Sequence, residues 1–354
     1  MKKIIALALL LVLTLGIFVA CNNVAPTEKK VRWENNETWT YDISLCDFST
    51  SISTADGTYF KDFTYSGEAD PLSGQIDRIA PTSISGSYEV HLTTQSAAET
   101  ATVTTTQTMY ATYEKDIIDA EKLAKYIDSE TDTHYTLKST TTTEVVFKNI
   151  VAQTPVSSST TADGFYVGKQ HQGVSYYTVQ TTYKVSSNGK SIVATTTRDG
   201  EQTTTEISNT NVIDNNQVLT YIRSFDKGDA SFQDSPSVMV FDPLTQSTKK
   251  LSFVYNKSQN FLLEHTFDGA TQSETVATKV NRLDVLMDGL PYMTQVNLPN
   301  LILENGVAHD KLNDEFGTAI PKHTIVRFRV GFVSYQLTNY LTDSIVNAIA
   351  KSAE

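Results

Sequence analysis

"TWTYDISL", residues 38–45, places an apolar residue at every second position, with Trp39, Tyr41, Ile43 and Leu45 on one side and Thr38, Thr40, Asp42 and Ser44 on the other. A strand turns successive side chains to opposite faces, whereas a helix repeats every ~3.6 residues, so this spelling reads as a strand with one dry and one wet face. "YEVHL" (88–92) repeats it with Tyr88, Val90 and Leu92. Further strand-like runs cover 101–113, 133–149, 174–186, 190–197, 217–225, 237–242, 250–256, 261–267, 275–286, 292–298 and 324–337, rich in Thr, Val, Tyr and Phe. Between them lie the turn dipeptides Asn188-Gly189, Asp199-Gly200, Asp242-Pro243 and Asp268-Gly269. The chain reads as mainly β, a meander of antiparallel strands.

The threonine tracts "TVTTTQT", "STTTTE", "ATTT" and "EQTTTE" fit the same scheme. Threonine is β-branched, which suits an extended backbone, and its hydroxyl suits a wet outer face. A mucin-like stalk would need proline, which these tracts lack. Residues 33–341 therefore read as a β domain. Its best candidate linker is 150–172, where a division into two tandem β-sandwiches would fall. "STADGTYF" (53–60) and "TTADGFYV" (160–167) look alike, each with an "ADG" that reads as a turn.

Two helices are expected. In residues 116–130, Ile117, Ala120, Leu123, Ala124 and Ile127 form one stripe, with Asp116 available as N-cap. A short C-terminal helix over 342–354 would be capped by Thr342 or Asp343.

The first twenty residues carry an address. Lys2 and Lys3 precede the uncharged apolar run Ile4–Ala20, the layout of a secretory signal. Phe18-Val19-Ala20-Cys21 resembles a bacterial lipobox, although Phe18 is bulkier than the residue usual there. That resemblance implies cleavage before Cys21, a diacylglyceryl group on its thiol and an extracytoplasmic, lipid-anchored protein on the cell membrane or outer membrane. Residues 21–32 then form a short polar tether. Removing residues 1–20 takes the net charge from −12 to −14. So acidic a chain, with no basic cluster longer than two lysines, argues against nucleic acid as partner. With Cys21 acylated, Cys46 is the one free thiol, expected to be buried and inert.

No G-x-S-x-G, H-E-x-x-H, P-loop, G-x-G-x-x-G, C-x-x-C or EF-hand loop occurs, and the six histidines stand singly. The reading is non-enzymatic, with no cofactor and no metal. Two acidic runs, 224–234 and 308–315, have carboxylates enough to hold a hard cation, but such runs are more often just solvated loops.

Residues 215–256 read as a strand, a turn, a strand ending "VFDP" and a long strand. With "TIVRFRVGFVSYQLTNY" (324–340) and "NETWTYDISL" (36–45), they resemble envelope proteins of the LolA/LolB/LppX-like kind. The resemblance implies a half-open barrel, a curved antiparallel sheet around an apolar cavity that binds a lipid or another hydrophobic ligand. No motif residue matches, so no functional residue carries over. From the chain's own pattern, the candidate cavity lining is Trp39, Tyr41, Ile43, Phe328 and Val330. The apolar parity flips after Gly331, to Val333, Tyr335 and Leu337, as a bulge at a bend would produce. The same apolar faces would serve a closed sandwich core. In that alternative the protein is a surface scaffold that contacts an envelope protein partner.

Overall fold

The computed structural model describes residues 33–46, 51–55, 57–60, 78–149, 153–223, 238–267, 272–297, 325–341 and 343. The signal, Cys21, the tether, both acidic runs and, apart from Asp343, the C-terminal helix expected over 342–354 lie outside the described residues.

The strands of the first half are β1 (Glu37–Leu45), β2 (Ser51–Thr54), β3 (Gly57–Phe60), β4 (Ser83–Gln95), β5 (Thr100–Glu114), β6 (Ile127–Glu130), β7 (His134–Phe147), β8 (Ser157–Val167) and β9 (Gln172–Val185). Those of the second are β10 (Ile192–Arg198), β11 (Glu201–Ile207), β12 (Val212–Asp214), β13 (Val238–Asp242), β14 (Ser247–Phe267), β15 (Gln272–Met287), β16 (Leu290–Asn297), β17 (Ile325–Val330) and β18 (Val333–Leu341). All belong to one 18-stranded sheet. The stretch 38–45 proves to be its keystone, because β1 pairs with β4 on one edge and with β18 on the other. From β4 the ladders run through β5, β7, β8, β9 and β10 to β11. From β18 they run back through β17, β16, β15, β14 and β13 to β12. Every ladder is antiparallel except β12–β13 and the single Phe261–Phe60 pair between β14 and β3.

The two ends of this ribbon meet without a ladder among the described residues. The chain reverses at 208–211, Thr205 Oγ1 donates to Gln246 Oε1 across the seam at 2.9 Å, and Tyr183, Ile192, Ala194, Ile207, Val212 and Phe241 bury themselves against one another there. The result is a nearly closed, barrel-like sheet. Curvature has identifiable sources. Register shifts interrupt the ladders at Thr40/Tyr41, Asn256/Gln259, Val285/Leu286 and Val296/Asn297, and each such bulge bends its strand. On β4, a Cβ added to Gly86 would lie 2.1 Å from the Thr108 carbonyl oxygen, so only glycine allows β4 and β5 to approach so closely. The hairpin turn Asp199-Gly200 has φ of 51° and 86°, the positive pair that a two-residue turn matching the sheet's twist requires.

Among the described residues, two short helices accompany the sheet. α1 (Ala120–Leu123) continues as a single 3-10 turn, Ala124–Tyr126. A 3-10 turn, Asn215–Gln217, leads into α2 (Val218–Arg223). Leu123 of α1, Tyr126 of the 3-10 turn and Ile118 just before them pack with Ala111 and Tyr113 of β5 and Leu137 of β7 in a second, smaller core cluster. Asp163 ties the 3-10 turn down, accepting from Lys125 Nζ at 2.7 Å and from Tyr126 OH at 2.9 Å. α2 inserts Val218, Leu219, Tyr221 and Ile222 into the main core, among Trp39, Tyr41, Val90, Leu92, Val240 and Leu283.

Several expectations need correction. The helix read over 116–130 shrinks to one α turn and one 3-10 turn. Its N-cap is Asp119 rather than Asp116, and Ile127–Glu130 is a strand because pairing of Ile127 with Leu137 on β7 outweighs the local stripe. The run 217–225 is helical rather than extended up to Arg223, for Asp214 and Gln217 form a reciprocal capping box that starts the helix. Residues 150–172, read as a linker, contain β8, which lies between β7 and β9 inside the one sheet. The tandem-sandwich alternative is therefore not the architecture. The "ADG" at 162–164 is within β8, whereas Ala55 and Gly57 of the other flank the point where β2 gives way to its antiparallel partner β3, Thr54 pairing with Gly57. Gly331 (φ 59°) sits in the hairpin turn between β17 and β18, so the parity flip marks a reversal and not a bulge. The threonine tracts also face both ways. Thr105, Thr143, Thr160, Thr181 and Thr196 are buried, four of them joined in pairs by Thr143–Thr160 (3.4 Å) and Thr181–Thr196 (3.1 Å) hydroxyl bonds. Cys46 is half-buried, its backbone N–H held by Phe332 O at 2.9 Å.

Candidate functional site

The ladder registers place inward-facing residues in rows that cross the strands. One row reads Tyr41, Tyr88, Gln107 and Thr141 over β1, β4, β5 and β7. The next reads Trp39, Val90, Thr105, Thr143 and Thr160, continuing onto β8. Along both, large apolar or aromatic side chains give way to hydroxyls and amides between β4 and β5. The inner wall thus has an aromatic half and a polar half, and the chain's alternation supplies both because threonine and valine have nearly the same shape.

Where the halves meet is a cavity of about 200 Å³. Its aromatic wall is Tyr88, Tyr292, Phe328 and Tyr335, with Val330 and Met293 beside them. Phe328 and Tyr335 stack at 4.3 Å between centroids, and Tyr88 meets them edge-on at 5.9 and 5.4 Å. Such offset and edge-to-face contacts hold the rings in place. The opposite wall is Thr105, Gln107, Thr141 and Thr143, and Asn215, Asn216, Val218 and Leu219 of the helical plug cover it. Tyr335 OH reaches Gln107 Oε1 at 3.4 Å. Burial raises the Tyr88 and Tyr335 hydroxyls above the ordinary phenol range and pushes Tyr292 up to about 12, so all three are neutral hydrogen-bonding groups at physiological pH.

The plug owes its position to a buried carboxylate. Asp214, the last residue of β12, is wholly inaccessible. Its Oδ2 accepts from Ser158 Oγ at 2.5 Å and from Tyr183 OH, and its Oδ1 accepts from the Asn216 backbone and side chain, each at 2.9 Å. Asn216 Nδ2 also donates to Thr160 Oγ1 at 3.1 Å, so β8, β9 and the plug share one polar network. Burial raises the Asp214 carboxyl above the usual carboxylate range in spite of these donors.

Of the residues read from sequence as candidate lining, Phe328 and Val330 do line the cavity. Trp39, Tyr41 and Ile43 lie in the packed core behind it, with Tyr41 touching Phe328 edge-on at 5.1 Å and donating its OH to Ile325 O at 3.1 Å. The polar wall and the plug went unread, because each of their residues is ordinary until the register joins them. Among the described residues no group of three or more His, Cys, Asp or Glu side chains stands where it could hold a metal ion, and no helix is long and apolar enough to cross a membrane.

No family model matches the chain, and no curated protein matches it either. Among solved structures it is similar to a β-barrel-like protein of a domain of unknown function, DUF1849, from Brucella abortus. The two are 12% identical, the likeness covers 88% of this chain and 98% of that one, and the TM-score is 0.40.

Proposed function

We propose that this chain is a non-enzymatic, lipid-anchored binding protein of the bacterial envelope, whose barrel holds a small hydrophobic ligand with one polar end. The observation that supports this reading is the two-sided cavity: four aromatic rings on one wall, neutral hydroxyls and amides on the other. Such a surface fits an apolar ring or short chain that ends in a hydroxyl or carbonyl group. The resemblance of 36–45, 215–256 and 324–340 to LolA/LolB/LppX-like proteins favours a hydrophobe too. At about 200 Å³ the cavity falls below the ~300–1,000 Å³ usual for drug-sized ligands, so a whole diacyl lipid is too large for it.

Native mass spectrometry of the full chain released from detergent, together with titration by a hydrophobic fluorophore, tests the ligand. One-to-one adducts and saturable fluorescence are expected. Val330→Phe, which adds a ring to the cavity, should reduce both about tenfold or more while costing the fold no more than about 1–3 kcal/mol. Unsaturable dye uptake, equal in Val330→Phe, rejects the cavity as the site. The anchor is checked separately by growing cells on labelled palmitate. Incorporation should be complete in the parent and lost in Cys21→Ala, and label that persists in Cys21→Ala disproves the anchor.

A further inference from the structure

A second concavity lies at the rim where β8 begins. The register aligns Val146, Ser157 and Thr182 across β7, β8 and β9. Lys148 and Lys184 stand two residues beyond the outer members of that trio. β8 does not extend between them: Val156 still donates to Val146 O at 2.7 Å and accepts from Tyr183 N–H at 2.9 Å, but 153–155 take no part in the β7 and β9 ladders. With one strand missing, β7 and β9 are separated by about 10 Å, twice the usual strand spacing. The notch opens into a cleft of about 930 Å³, and it shares no lining residue with the aromatic cavity. Thr154 fixes its floor, donating to Thr210 O and accepting from the Val212 backbone N–H, both at 3.2 Å.

The charge is one-sided. Lys148 and Lys184 are the only charged residues among those lining the cleft, in a chain whose net charge is −12. Both are exposed, and among the described residues neither forms an ion pair. Side chains of lysine length that start ~10 Å apart can bring both ammonium groups to one anion between them. Thr182 and Asn211 add neutral donors, while Pro155 and Val185 give the cleft an apolar wall. The volume exceeds what a bare anion fills.

We propose that this cleft binds a phosphate-bearing anion attached to a larger, partly apolar body, held by Lys148 and Lys184. Two sources offer that chemistry, the headgroup of an anionic phospholipid and a soluble phosphate ester. The place in the fold suits the first. Phe147, next to Lys148, packs on Trp33 at 5.3 Å, and Trp33 is twelve residues from Cys21, a contour of at most ~40 Å.

Isothermal titration calorimetry on the full chain in a nonionic detergent tests this, with glycerol 3-phosphate and dihexanoyl phosphatidylglycerol as the two probes. Saturable, salt-sensitive binding of at least one probe is expected. Lys148→Ala and Lys184→Ala should each weaken it ~10-fold, the double variant should abolish it, and Lys→Arg at both sites should retain it. Tighter binding of the lipid identifies a headgroup site, and equal or tighter binding of glycerol 3-phosphate identifies a soluble ester. Either result supports the cleft. Absence of saturable binding by both probes, or binding that survives in the double alanine variant with an unchanged melting curve, overturns the proposal.

Discussion

Asp214→Ala should cost the fold about 3–5 kcal/mol, measured by urea unfolding, which is the scale seen when a buried polar network is broken from one side. The substitution removes an acceptor for Ser158 Oγ and Tyr183 OH, both buried, and for Asn216 N and Asn216 Nδ2, which are partly buried. It also ends the capping box that starts the helical plug. A cost under ~1 kcal/mol would mean that the network does not hold the plug. Asp214→Asn separates charge from shape. Burial raises the folded-state pKa of Asp214 above its unfolded value. For such a group, the stabilisation is fully present below the unfolded pKa and is lost as pH rises through the folded pKa. The stability gap between parent and Asp214→Asn should therefore be widest in acid and narrow as pH rises, with the other carboxylates cancelling in the difference. A gap that widens with pH contradicts a raised pKa. Because Asn215 and Asn216 line the cavity, ligand binding should weaken along with the plug.

How much of this was legible beforehand depends on the residue. Strand β1 could be read because its inward positions are Trp39, Tyr41 and Ile43, large enough to stand out against Thr38, Thr40 and Asp42. Strand β8 could not. Its inward positions are Ser158, Thr160, Ala162 and Gly164, which spell a loop by composition, and they are small because the strand must leave room for the plug and for Ser139, 3.2 Å from where a Gly164 Cβ would sit. The plug failed for the opposite reason. Val218, Tyr221 and Ile222 keep the i, i+3, i+4 spacing of a helix, but the run is a single turn and a half with Leu219 and Thr220 buried as well, so it also passes for a buried strand, and the sharper signal was the Asp214–Gln217 pair at capping-box spacing. The cavity's polar wall has no local signature at all. Thr105 and Gln107 sit on β5, Thr141 and Thr143 on β7, and only the ladder register shows that they lie opposite one another.

The keystone role of β1 makes a second strong expectation. Trp39 is about 1% exposed, and its Nε1–H donates to Glu37 Oε1 at 2.9 Å, a carboxylate that also accepts from Tyr340 OH on β18. Trp39→Ala should lower stability by about 3–5 kcal/mol through the void it leaves, with a further loss from withdrawing one of the donors to buried Glu37. Val174→Ala, at a residue 57% exposed on β9, should stay within about 0.5 kcal/mol and serves as the control. The shape of the transition matters as much as its midpoint. Trp39 pairs with Val90 of β4 on one side and with Tyr340 of β18 on the other, so the N-terminal ladders and the C-terminal ladders are both anchored to the same strand. Loosening β1 should therefore shift one cooperative transition seen alike by fluorescence and by far-ultraviolet circular dichroism. If Trp39→Ala instead split the curve in two, with one half melting at the parental midpoint, the two halves would be independent folding units and β1 only a bridge between them.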